Sequence, residues 1–145
     1  MILASAASGT FAGVVLFVFS HVAPMFGAGN FIRDLDKPRI FGAAVSRREA
    51  HVVGALTHIL VSGASGAMFG FLVSLNIFQG FDLISLLGWS VVMTLAIGGV
   101  ILPLEGHGVF GVKEDAWFPV DLFITNILWS VLFWWMIRIL LPLLS

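Results

Sequence analysis

Six residues of this chain have the types and placement to do chemistry at a membrane boundary: His21, His51, His58, Glu105, His107 and Asp121. Imidazole and carboxylate are the ligands that zinc, iron and copper take when thiolates are absent, and a catalytic zinc commonly uses two histidines and a glutamate. The chain has no cysteine. A disulfide framework, a thiolate metal site and a thiol nucleophile are therefore excluded, and any cofactor held by this group would be a transition metal or a haem bound through His21 and His58.

Each candidate also has a plainer reading. His51 and His107 suit watered positions at the interface or in a loop. Asp121 complements the positive end of a helix that starts two residues earlier, at Pro119. His21 and His58 lie deeper and could hydrogen-bond Ser20, Thr57 or Ser62 on neighbouring helices as structural glue. Glu49 fits a capping box with Ser46 better than a metal. The serines and threonines form no nucleophile motif, and Gly27-x-Gly29 lacks the strand and the spacing of a dinucleotide fingerprint.

The elements that must position these residues follow from composition. The chain has 145 residues, 59% of them hydrophobic and 10% charged, with a mean hydropathy of +1.07. A soluble domain is about a quarter charged, so this is the composition of an integral membrane protein. The net charge of −1, with no basic stripe, excludes nucleic acid as a partner.

Apolar runs predict four membrane-spanning helices, over residues 2–26, 47–75, 83–102 and 119–144, in one domain. No basic residue leads the first run and its small residues precede the apolar core, so it reads as a span and not as a cleaved signal. Ser46-Arg-Arg-Glu49 predicts the start of the second helix, Asp82 caps the third, and Pro119 suits the first turn of the fourth. Gly54, His58, Ser62, Gly66 and Gly70 recur every four residues along the second span, and Gly9 and Gly13 have GxxxG spacing in the first. Small residues at that spacing let helix backbones approach closely, so His58 is expected to face protein.

Four spans put the polar loops 27–46 and 103–118 on one side and both termini on the other. The first loop, with Phe31, Ile32, Leu35, Ile40 and Phe41 among mixed charges, reads as a segment lying on the membrane surface. Arg33, Lys37, Arg39, Arg47, Arg48 and Lys113 lie on the loop side and only Arg138 towards the other, which predicts cytoplasmic loops and outside termini. A P-x-x-G-x-G-x-F pattern runs from Pro24 to Phe31 and again from Pro103 to Phe110, and the same offset pairs Gly9 with Gly88. That echo raises a parallel repeat of two helical hairpins, although helices leaving a membrane often turn on Pro and Gly.

Ala23-Pro-Met-Phe-Gly27 after the first span, Gly54-x-x-x-His58 in the second, and Leu102-Pro-Leu-x-Gly106-x-Gly108-Val-Phe-Gly111 after the third resemble an uncharacterised family of small four-helix membrane proteins from bacteria and archaea. The resemblance implies a four-helix fold in a prokaryotic cell (inner) membrane and carries no activity. The tryptophan-rich fourth span fits it least.

The expectation is an all-α, four-helix membrane bundle, embedded in the lipid bilayer as a homo-oligomer or as a subunit of a larger complex. The leading functional reading is non-enzymatic binding of a metal or haem by the His/carboxylate cluster. A purely structural or assembly subunit is the alternative. Thr94, Thr125 and Asn126 at mid-span raise a small transporter or channel, and Glu105 beside a His-bound metal would make a membrane hydrolase.

Overall fold

The computed structural model describes residues 1–22, 39–40, 43–44, 46–104, 106–113 and 115–144, with the side chains of His21, 39–40, 43–44, Arg47, Arg48, Ala50, His51 and Leu144 left aside. The helices are α1 (Ile2–Val22), α2 (Arg47–Ser74), α3 (Leu83–Ala96), α4 (Leu102–Leu104) and α5 (Phe118–Leu144). Between α1 and α2, β1 (Arg39–Ile40) and β2 (Ala43–Ala44) pair antiparallel, with Arg39 opposite Ala44. The rest of the expected surface segment lies outside the described residues, as does the first copy of the P-x-x-G-x-G-x-F pattern.

Four helical stretches are long and apolar enough to cross a membrane, Ile2–Ser20, Val52–Ser74, Leu83–Leu104 and Phe118–Leu143. The chain is an all-α four-helix bundle of multi-pass membrane type. Its helix starts are those the sequence spells. Ser46 Oγ accepts from Glu49 N–H at 3.2 Å while Glu49 Oε2 accepts from Ser46 N–H at 2.9 Å, completing the capping box. Asp82 accepts from both the backbone N–H and the hydroxyl of Ser85, at 2.9 and 2.6 Å. Asn76 turns the chain between α2 and α3 in a left-handed conformation, with φ of 57°, that a short polar side chain tolerates.

The third span departs from expectation at its loop-side end. The helix was expected to stop at Leu102 because Pro103 follows. Instead the chain widens into a π-helical turn, Ile97–Ile101, and continues through Pro103 to Leu104. Leu102 N–H reaches back five residues to the Ile97 carbonyl. Pro103 has no N–H to give the carbonyl four residues before it, so the wider register gives up little at this point.

α1 packs against both α2 and α5, and α3 packs against α5. The two covalent hairpins, α1 with α2 and α3 with α5, thus meet along α1 and α5. Phe69 on α2 lies 5.9 Å from Trp89 on α3, 5.0 and 5.9 Å from Phe78 and Phe81 in the turn between those helices, and 5.8 Å from Phe133 on α5, ring centre to ring centre. Phe69 and Phe133 are fully buried, with Leu86 and Ile137 beside them in the core.

Candidate functional site

The small-residue stripe fits α2 onto α1. A Cβ on Gly66 would collide with the Ser5 carbonyl and sit 3.0 Å from Gly9 Cα, and one on Gly13 would sit 2.6 Å from Ser62 Cβ. Gly9 and Gly63 are likewise closed, by the Ser62 carbonyl and by Thr10 Oγ1. At Gly9 and Gly66 the contact is backbone to backbone, and at Gly13 and Gly63 the Ser62 and Thr10 side chains fill the space a Cβ would need. The stripe ends before Gly54, which has open space around it and is exposed. Gly9 and Gly88 are not equivalent either, since a Cβ on Gly88 would make only an ordinary contact with Phe78.

His58 sits where this seam opens towards the loop side. Its imidazole hydrogen-bonds the backbone of Gly13 on α1. Its Nε2 is buried without a hydrogen-bond partner. The expectation that His58 faces protein is met, with Gly13 as its partner in place of Ser62 or Thr57.

The buried polar side chains further along the spans tie helix to helix. Asn126 on α5 donates to Thr94 Oγ1 on α3 at 2.9 Å, and the Thr94 hydroxyl donates on to the Ser90 carbonyl at 2.8 Å. Ser130 donates to the Leu86 carbonyl at 3.0 Å, a second tie between α5 and α3. Trp89 Nε1 donates to Ser65 Oγ at 2.9 Å, and that hydroxyl meets Met93 Sδ at 2.7 Å, joining α3 to α2. Asn126 and Thr94 are 6% and 8% exposed. The two mid-span groups that suggested a transport path are thus occupied with each other, and Thr125 donates to the Asp121 carbonyl in its own helix at 2.8 Å.

The six sequence candidates are distributed as follows. His58 is placed as above. His107 is buried, at 5% exposure, in the loop after α4, where its backbone N–H donates to the Leu102 carbonyl at 2.9 Å. Asp121 lies in the first turn of α5, half-buried, where its charge complements the helix terminus. His21 falls in the last turn of α1 and His51 in the second turn of α2, with their side chains outside the described set, and Glu105 lies outside it altogether. Among the described residues no group of three or more His, Cys, Asp or Glu side chains could hold a metal ion. His58, His107 and Asp121 are therefore not brought together as a ligand set.

Sequence reasoning passed over two features. Ser65 and Ser130 were not singled out, although serines at i and i+3 on α2 and a tryptophan two turns inside α3 carried a signal for the Trp89–Ser65 tie. The second is the loop-side lid of α3. Phe110 adopts a left-handed backbone, φ 54° and ψ 20°, and its ring covers Gly98 so closely that a Cβ there would overlap it. Gly106, Gly108 and Gly111 flank it with φ of 91°, 78° and 74°.

No protein-family model, curated protein or solved structure matches the chain.

Proposed function

We propose that this chain is a non-enzymatic structural or assembly component of a prokaryotic cell membrane, in which the buried polar side chains hold the helices together. The observation that supports this best is the Asn126–Thr94 hydrogen bond. An amide at membrane depth is expensive unless partnered, and this one is partnered by a side chain of the neighbouring helix. The Trp89–Ser65 and Ser130–Leu86 bonds repeat the pattern. In this reading the polar loops face the cytoplasm, the termini lie outside, and the bundle works as a homo-oligomer or within a larger complex.

A second reading is favoured by His58 alone. A metal-binding imidazole characteristically donates one N–H to a backbone carbonyl, a role open to the Gly13 backbone beside His58, and keeps its other nitrogen for the metal, as the unpartnered Nε2 of His58 would allow. A metal or haem held there would draw further ligands from the loop-side residues His21, His51 and Glu105.

Elemental analysis and a visible absorption spectrum separate the two. Protein purified from native membranes without chelator or affinity-column metal is expected to be colourless and metal-free. Stoichiometric metal or a haem band that disappears in His58→Gln would replace the structural reading with the second one.

A further inference from the structure

Arg138 is the only lysine or arginine on the terminal side of the bundle, and it lies in the last third of α5 with its side chain exposed. A guanidinium keeps its charge at any physiological pH, so at the edge of hydrocarbon it needs an anion. Among the described residues it makes no ion pair. Asp82 is the only acidic residue on that side, and its carboxylate accepts from the Ser85 N–H and hydroxyl at the start of α3.

Two contacts set the level of Arg138. Ser130 on α5 donates to the Leu86 carbonyl on α3 at 3.0 Å, and Phe133 stacks on Phe81, the neighbour of Asp82, at 6.4 Å and 26°. α3 and α5 run in opposite directions, so the first turn of α3 begins level with Phe133 and Trp134. Arg138 stands one turn further out, about 5 Å, at the level of the polar turn 75–82 between α2 and α3. α5 runs on past it to Leu144, and Trp135, Ile139 and Leu143 are exposed there. The charge is therefore set in an outward-facing apolar surface.

The guanidinium is held in place. Its central carbon lies 4.8 Å from the centre of the Trp134 ring, a cation–π contact with the residue one turn back on the same helix. That contact occupies one face of the planar group and leaves its edge of N–H donors for an acceptor with two oxygens.

We propose that Arg138, held on Trp134, binds the phosphodiester of an anionic phospholipid in the leaflet on the terminal side. The two halves of the site carry the ligand class. The N–H fork matches phosphate oxygens, and the exposed Trp135, Ile139 and Leu143 match acyl chains, which a free phosphate lacks. One positive charge with no side-chain acid to balance it favours a headgroup of net negative charge over a zwitterionic one. The proposal does not rest on the structural reading above.

The probes are phosphatidylglycerol, phosphatidylcholine and inorganic phosphate, offered to the full-length protein in mild detergent, with retained lipid read by native mass spectrometry. Phosphatidylglycerol is expected to be retained in preference to phosphatidylcholine, and inorganic phosphate is expected not to displace it. Arg138→Gln, at an exposed position, should weaken retention about ten-fold, the loss of a charge-assisted contact. Arg138→Lys should recover only part of it, since an ammonium lacks the fork. In bilayers, the lipid ³¹P is expected to dephase an arginine guanidinium ¹³C signal that is absent from Arg138→Gln. Retention unchanged in Arg138→Gln, full recovery in Arg138→Lys, or no preference between the two lipids would overturn the proposal. Displacement by inorganic phosphate would make this a free-anion site and overturn it as a lipid site. A wild-type spectrum with no arginine dephased by ³¹P would overturn it without recourse to any variant.

Discussion

The indole Nε1 of Trp89 donates to the hydroxyl of Ser65 across 2.9 Å, in the seam between α2 and α3. Ser65→Ala leaves a buried donor unpaired without opening the seam. Interhelical hydrogen bonds in membranes average about 0.6 kcal/mol and reach about 1.7 kcal/mol, so a loss within that range is expected. Denaturant unfolding in mixed micelles measures it, and a variant as stable as the wild type would show that the bond contributes nothing.

The two glycine classes on α2 give opposite outcomes. Gly66→Ala drives a methyl group into the Ser5 carbonyl and Gly9 and must push α1 away, an overpacking cost of about 1–3 kcal/mol. Gly54→Ala meets open space and gains helix propensity of up to about 1 kcal/mol. The unfolding midpoints of the pair should therefore move in opposite directions. Equal shifts would mean that the α1–α2 seam is not backbone-tight at Gly66.

At the lid, Gly98→Ala displaces the Phe110 ring that lies over the π-helical turn. The His107 N–H bond to the Leu102 carbonyl depends on the same loop, so amide exchange over residues 106–113 should accelerate. Gly99→Ala, with open space around it, should leave that exchange unchanged. Unaltered protection in Gly98→Ala would separate the loop from the ring contact.

The helix caps set an acid response. The Ser46 side chain, then its backbone, holds the Glu49 carboxyl below its ordinary range, and the Ser85 side chain, then its backbone, does the same for Asp82. A carboxylate with a depressed folded pKa stabilises the folded state above its unfolded pKa, and that contribution is lost as pH falls through the folded value. Both groups are exposed, so the effect is local fraying of the first turns of α2 and α3 under acid conditions. NMR titration should give carboxyl midpoints below those of a denatured control. Asp82→Asn, an equally good cap, should remove the acid response of α3 while keeping its first turn.

The bundle itself was legible from the sequence because its causes are local. Four apolar runs of sufficient length, Ser46 three residues before Glu49, and Asp82 before an apolar stretch each specify their element through neighbouring residues. The Gly9–Gly13 and Ser62–Gly66–Gly70 spacings likewise announced a close seam. What could not be read depends on which helices face each other. Asn126 and Thr94 are 32 positions apart in sequence, and the same two residues suggested a polar path until the fold paired them. The widened end of α3 was missed because Pro103 normally reads as a stop, whereas here the π-helical turn absorbs its missing N–H. The six-residue ligand group paired chemistry with topology alone, and of it only His58 has the described geometry of a poised imidazole.

The central claim is that buried polar side chains bind the helices of this bundle to one another, and the Asn126–Thr94 pair tests it most directly. A double-mutant cycle of Asn126→Ala and Thr94→Val, read as unfolding free energy in bilayers or bicelles, isolates the coupling between them. A coupling of about 0.6–1.7 kcal/mol, the range for interhelical hydrogen bonds in membranes, is expected. Strictly additive effects, or an Asn126→Ala variant more stable than the wild type, would contradict the claim and show that Asn126 is kept for something other than holding α5 to α3.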